Sequence, residues 1–124
     1  MVRSLNKVLL IGRVGRTPEM RYMPSGRAVT SFSVGTTYSW QDPEGGEHEE
    51  TEWFNVVAWG DLAERCKSSL RENHRVYVEG RLQTRSWEAE DGNTCFRSEL
   101  VANDMILLSS SSGSNNVSGK GPGE

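Results

Sequence analysis

The sequence has few of the residues that enzymes and metal sites commonly use. Among its 124 residues are two cysteines, Cys66 and Cys95, and two histidines, His48 and His74. Their positions do not give the ligand spacing of a zinc site, and two distant cysteines do not make a disulfide framework. We interpret both as ordinary structural thiols. No catalytic triad, phosphate loop or dinucleotide fingerprint is present, so we predict a non-enzymatic protein without a cofactor or metal.

Long apolar runs are also missing. No stretch of about 18 apolar residues could form a membrane-spanning helix, and the first residues show no cleavable signal pattern. This predicts a cytoplasmic protein, or one inside an organelle if a transit peptide has been removed. From Ser109 onward the chain is rich in Gly, Ser and Asn and has too few apolar residues to fold. We therefore expect one folded domain over 1–108 and a disordered tail over 109–124.

The net charge is −3, but the charges are unevenly distributed. Residues 1–40 contain six basic residues and one acid, whereas residues 41–52 contain six acids and no base. The chain outside this acidic segment is therefore basic, as expected of a protein that binds a polyanion. The acidic segment lacks the ligand spacing of a calcium loop and contains two glycines and a proline. We interpret it as a solvated, flexible loop.

The order of predicted elements indicates an all-β fold. Strands are predicted at 5–15, 20–23, 28–40, 51–60, 75–88 and 94–102, with a last apolar piece at 105–108. The one convincing helix covers 61–72, with Asp61 as N-cap and Glu64 completing a capping box. About five strands with a helix between the third and fourth is the order of an OB-fold, a five-stranded Greek-key barrel. Another five-stranded barrel or a sandwich would also fit.

Strand parity places three of the four tryptophans on polar faces. Trp53 and Trp59 share one parity, opposite to the apolar residues Phe54, Val56 and Ala58. A core role is the ordinary explanation for tryptophan, but here the core face is already filled. Exposed indoles instead provide stacking surfaces for nucleic-acid bases of any identity.

Trp87 shows the same pattern in the next strand. It has the parity of Gln83 and Arg85. The opposite parity holds the residues that we expect inside: Val76, Val78, Gly80 and Leu82. Pattern alone leaves the face of Trp40 open. Basic residues are predicted to contact phosphates and to make binding salt-dependent; they are Arg3, Lys7, Arg13, Arg21, Arg85 and Arg97.

Three long stretches resemble the bacterial single-stranded DNA-binding protein family. They are LNKVLLIGRVGRTPEMRYMPSG at 5–26, TEWFNVVAWGDLAE at 51–64 and VYVEGRLQTRSW at 76–87. The resemblance, over residues 1–108, implies an OB-fold homotetramer wrapped by single-stranded DNA during replication, recombination and repair, in the cytoplasm with the nucleoid. It places Trp40, Trp53, Trp59 and Trp87 at the family's base-stacking positions. It also assigns Tyr77 and Val78 to a strand used for subunit contacts.

Two departures limit what the resemblance implies. Phe54 stands where some relatives carry a histidine at the subunit interface. The family's tail ends in an acidic tip that recruits replication and repair proteins, whereas this sequence ends with the single acid Glu124. Three alternative functions stay open: a primosome-type OB-fold interaction module, a metal-dependent nuclease using the acidic 42–52 segment, and an RNA-binding cold-shock-like domain.

Overall fold

Six strands and one helix make up the regular structure of residues 3–109, the part of the chain that the computed structural model describes. The elements are β1 (Val8–Val14), β2 (Glu19–Tyr22), β3 (Ala28–Gln41), β4 (Glu47–Trp59), α1 (Asp61–Ser69), β5 (Arg75–Glu88) and β6 (Thr94–Ser109). No helix in this range is long and apolar enough to cross a membrane. The predicted tail lies outside the described residues except for Ser109, which ends β6.

Five long strands close into a barrel. Neighbouring strands follow the order β1-β5-β6-β4-β3, and β1 pairs back onto β3. All these pairings are antiparallel except that of β4 with β6. The short β2 pairs only with the first residues of β3 and is not one of the strands that close the barrel. Counting the barrel strands alone, the helix follows the third, so the predicted OB-fold is confirmed and a sandwich is excluded.

Alternation along the strands fills the barrel interior as the sequence predicts. On β3, Ala28, Thr30, Phe32 and Val34 are all buried. The apolar three of these form one core cluster with Val56 and Ala58 of β4 and Val76 and Val78 of β5. Each fully buried aliphatic side chain of this kind contributes about 1.5–3 kcal/mol by leaving water.

Helix α1 packs against this core through its apolar stripe. Ala63 and Cys66 are fully buried, and burial raises the pKa of the Cys66 thiol to about 11. The buried Thr30 hydroxyl donates to the Ala63 carbonyl oxygen at 2.7 Å, which ties the helix to β3. The interpretation of Cys66 as a structural thiol agrees with this position.

The start of the helix differs from the prediction. The N-cap is Gly60, with φ of 64°, and no side chain caps the helix. Asp61 is therefore the first helical residue, and the predicted capping box with Glu64 is wrong. Both carboxylates lie in the first turn, where the helix dipole favours negative charge. Gly60 combines this φ with a ψ of −134°, a conformation that only glycine reaches without strain, so the turn itself sets where the helix begins.

The acidic segment is also different from the prediction, because most of it is strand. Residues 47–52 pair in register with β3, and only the tight turn around Pro43 to Gly46 is loop. The Asp42 carboxylate accepts hydrogen bonds from the backbone N–H groups of Glu44 and Gly46 at 3.0 and 2.7 Å. The long β3 needs a partner for its backbone groups, and this requirement outweighs the weak strand propensity of the glutamates.

The β5–β6 hairpin extends beyond the barrel, which explains a second difference. Leu82 was expected inside but is 47% exposed, because every β5 residue from Arg81 to Glu88 is exposed. β6 is also one continuous strand rather than two pieces. Its register shifts where Glu79 pairs with Asp104 but Gly80 with Ala102, which leaves Asn103 as a bulge residue.

Candidate nucleic-acid interface

An open groove of about 830 Å³ crosses the outer surface of β3, β4, β6 and β5. We call it the outer groove. Its floor consists of residues with the parity opposite to the core: Ser31, Ser33, Asn55, Val57, Glu99 and Val101. Such alternation of an apolar inner face and a polar outer face follows directly from the pleat of half-buried strands. The outer groove is thus a surface that the predicted parity of β4 and β5 already defines.

Trp53 lies at one end of this surface, on the same face of β4 as Asn55. The side chain is 56% exposed, as its parity predicts. Its six-membered ring packs over two glycines: a Cβ added to Gly35 or Gly15 would lie 2.7 or 2.8 Å from the Trp53 Cζ3 atom. The absence of side chains at these two positions therefore allows the indole to lie close against the backbone.

Trp59 lies on the same face of β4, towards the helix. The guanidinium carbon of Arg27 lies 4.8 Å from the centroid of the Trp59 ring, a cation–π arrangement. Arg27 comes from the turn between β2 and β3, so strand parity could not have placed it there. Trp59 is half-buried and lines the outer groove.

Trp87 stands on the projecting part of β5. It is 43% exposed, and the guanidinium carbon of Arg85 lies 5.3 Å from its ring centroid. Arg85 Nε also lies 3.5 Å from a carboxylate oxygen of Glu99, which is largely buried in the groove floor. Arg85 therefore already has an acidic partner, with which a phosphate would compete.

Arg97 is held across the groove floor as well. Its Nη2 donates to Oδ1 of Asn55 at 2.6 Å, joining β6 to β4. Of the six basic residues predicted to contact phosphates, Arg21, Arg85 and Arg97 line the outer groove. Arg3, Lys7 and Arg13 do not. Arg16 and Arg27 line grooves of this surface and were missed, because both lie in connections outside the strands.

Trp40 lies on the other face of the β3–β4 hairpin. The pairing is regular from Val34 to Gln41, so Trp40 has the parity of Val34, whereas Trp53 faces Gly35 on the opposite side. The Trp40 ring stacks with Tyr38 and with His48, with centroids 5.6 and 5.3 Å away. Trp40 is 41% exposed.

A hydrogen bond fixes the histidine of this aromatic row. His48 Nε2 lies 2.7 Å from Oδ2 of Asp42, and this contact, with the backbone N–H of Gly46, holds the pKa of the Asp42 carboxyl below its usual range. The acids of the segment are divided between the two faces of the hairpin, with Glu47 and Glu49 on one and Glu50 on the other. Within residues 3–109, no three His, Cys, Asp or Glu side chains are placed to hold a metal ion.

The residues expected at a subunit interface lie in three different environments. Tyr77 points outward from β5, and its hydroxyl donates to Glu79 at 2.7 Å, which raises the pKa of Tyr77. Lys7 pairs with the same Glu79 at 3.4 Å. Phe54 is half-buried and packs against the core. Val78 is fully buried within its own barrel, so its side chain is not available for a subunit contact.

The closed barrel and its aromatic, arginine-lined outer face define an OB-fold protein with a surface suited to a polynucleotide strand. Residues 5–108 match the model of the Single-strand binding protein family, and the chain belongs to that family. It is 46% identical over 121 residues to the single-stranded DNA-binding protein of Neisseria meningitidis serogroup A (98% of this chain, 68% of the relative).

Further similarities agree with this assignment. The chain is 45% identical over 109 residues to single-stranded DNA-binding protein 1 of Chlorobaculum tepidum, which covers 87% of this chain and 67% of the relative. Its fold is similar to that in a solved complex of Plasmodium falciparum SSB with ssDNA, with a TM-score of 0.78 and 32% identity. That match covers 87% of this chain and 98% of the solved one.

Proposed function

We propose that this protein binds single-stranded DNA without strong sequence preference and protects it during replication, recombination and repair. The observation that carries the proposal is the outer groove of an OB-fold barrel, which Trp59 and four arginines (Arg16, Arg21, Arg85 and Arg97) line. The exposed Trp53 and Trp87 share the strand parity of groove residues. Membership of the Single-strand binding protein family supports it. The protein acts by binding and is not an enzyme.

Two forces combine in this function. Each base stacked on a tryptophan contributes about 1–3 kcal/mol, and every base has a face to stack. Trp53, Trp59 and Trp87 provide such faces around the outer groove, and Trp40 provides a further one on the hairpin. Arginines at the groove neutralise phosphates and release counterions, so that affinity falls as salt rises.

The assembly extends this single-barrel interaction. A single OB-fold covers about 4–16 nucleotides, so several barrels in one oligomer bind a long strand far more tightly than one. We propose a homotetramer, with the outward-pointing Tyr77 of β5 and the half-buried Phe54 of β4 among the candidate contacts. We also propose that residues 1–108 form the DNA-binding domain, that 109–124 form a separate tail, and that the protein works in the cytoplasm with the nucleoid.

A titration with oligo(dT) tests the proposal. We expect tryptophan emission to be strongly quenched as DNA is added, because bases stack on the indoles. The measured affinity should weaken as salt is raised, with a slope that reports the number of phosphates neutralised. Unchanged emission at saturating DNA would refute stacking. The stoichiometry of the same titration tests the tetramer, and cleavage of the strand in the presence of Mg²⁺ would restore the nuclease alternative.

A further inference from the structure

A pocket of about 420 Å³ adjoins the outer groove at the end where Trp59 lies. Trp59, Gln83 and Val101 line both, so the pocket and the groove are neighbours that share these side chains. We call it the Arg27 pocket; its lining includes Arg27, Trp59, Arg81, Gln83 and Asn103. Its size falls in the range of small-ligand sites, of the order of 300–1,000 Å³.

The chemistry of the lining fits a nucleotide. Two arginines and no acid line the pocket, which makes it a place of positive charge. The Arg27 guanidinium lies over the Trp59 ring, so one region combines a cation with an aromatic plane. A phosphate and a stacked base need this combination, whereas an apolar ligand has no use for the two arginines.

Polar side chains lie beside this pair. Arg81 Nη1 donates to Oε1 of Gln83 at 2.9 Å, which leaves the amide NH₂ of Gln83 as a free donor. Asn103 is the bulge residue of β6, and bulges often redirect a side chain next to a functional site. These groups are suited to hydrogen bonds with a base edge.

From these observations we propose that the Arg27 pocket is a subsite for one nucleotide of the bound strand. Arg27 contacts its phosphate and covers one face of Trp59, and the remaining indole surface stacks the base, whose edge meets Gln83. The inference rests on the proposed function and adds to it a DNA-contacting residue, Arg27, that lies outside the strands.

Binding of a labelled oligo(dT) of about 16 nucleotides, the upper site size of one OB-fold, tests the subsite by fluorescence anisotropy over a salt series. We expect Arg27→Ala to weaken binding by about 5- to 20-fold and to reduce the slope of log K against log[salt] by about 0.7, the value for one phosphate of a single strand. Arg27→Gln should lose the same slope but less affinity, because its planar amide still packs on Trp59.

Two further variants separate the roles. Gln83→Ala should weaken binding without changing the slope, because it removes no charge. Arg75→Ala removes an exposed arginine of β5 that lines neither groove nor pocket, and it is the matched control for charge. Far-UV circular dichroism and thermal melting establish whether each variant folds. If Arg27→Ala does not fold, Arg27→Gln takes its place in the test.

The outcomes distinguish the two levels of the proposal. If both Arg27 variants bind like Arg75→Ala in affinity and slope, the subsite is wrong while single-stranded DNA binding stands. If the wild-type protein does not bind oligo(dT), the proposed function itself fails. A reduced affinity with an unchanged slope would also overturn the phosphate contact of Arg27.

Discussion

Replacing Gly35 by alanine tests whether the backbone under Trp53 sets the position of this indole. The new Cβ would lie 2.7 Å from Cζ3 and 2.9 Å from Cη2 of Trp53. Since carbon atoms in contact are normally about 3.5–4.0 Å apart, the ring has to move by about 1 Å or tilt. The exposed surface of Trp53, on which we propose that a base stacks, is then displaced.

The expected loss follows from the value of one stacked base. Complete loss of a stack costs about 1–3 kcal/mol, and a ring that tilts retains part of it, so we expect a loss of about 1 kcal/mol. This is a weakening of roughly fivefold in Kd. Stability should change little, because Trp53 is more than half exposed. The measurement is anisotropy with labelled oligo(dT), with thermal melting of the same samples.

A double-mutant cycle with Trp53→Ala provides the control. If Gly35 acts through the indole, Gly35→Ala should cost little or no further affinity in a protein that already carries Trp53→Ala. Equal binding by Gly35→Ala and the wild type would show that DNA affinity does not depend on where the glycine at position 35 lets the indole lie. Fully additive losses would show that Gly35 acts by another route.

Three other changes have definite expected outcomes. Thr30→Val should lower the free energy of unfolding in urea by about 1 kcal/mol, since it loses a buried hydrogen bond, and should leave DNA affinity unchanged. Glu99→Gln should strengthen DNA binding at low salt, measured by anisotropy, because the carboxylate no longer competes with phosphate for Arg85. The pKa of Asp42, followed by NMR, should lie below the ordinary 3.8 and rise in His48→Ala. Because the folded pKa is the lower one, the stability that this group contributes is present above the unfolded pKa and is lost as pH falls through the folded pKa.

Much of the barrel could be predicted from the sequence because its strands alternate cleanly. The parity of β3 and β4 placed Phe32 and Val34 inside and Trp53 outside, since the residues of a half-buried strand alternate between the core face and the outer face. The prediction of strands fails where pairing with a neighbouring strand outweighs the intrinsic strand propensity of the residues. The acidic residues 47–52 form strand because the long β3 holds them in register.

The rest of the candidate site depends on contacts between distant parts of the chain. Arg27 lies over Trp59 although 32 positions separate them, and the Arg97–Asn55 bond joins strands that meet only after the barrel closes. Leu82 has the apolar character and the parity of a core residue, yet it lies on the part of β5 that extends past the barrel. A local sequence pattern does not show at which residue a strand begins to extend past the core.

The barrel closes along two short seams, which has a consequence for how the protein opens. β1 meets β3 only at Arg13–Gly35 and Val14–Val34, and β4 meets β6 only at Val56–Leu100 and Val57–Val101. The barrel therefore consists of the β3–β4 hairpin and the β1–β5–β6 sheet, and local opening should begin where these two units join. The outer groove crosses the β4–β6 seam, with Trp59 on one unit and Arg85 and Arg97 on the other. A strand bound in the outer groove, as we propose, would span the joint, so DNA should slow amide hydrogen exchange there more than in the centre of either unit.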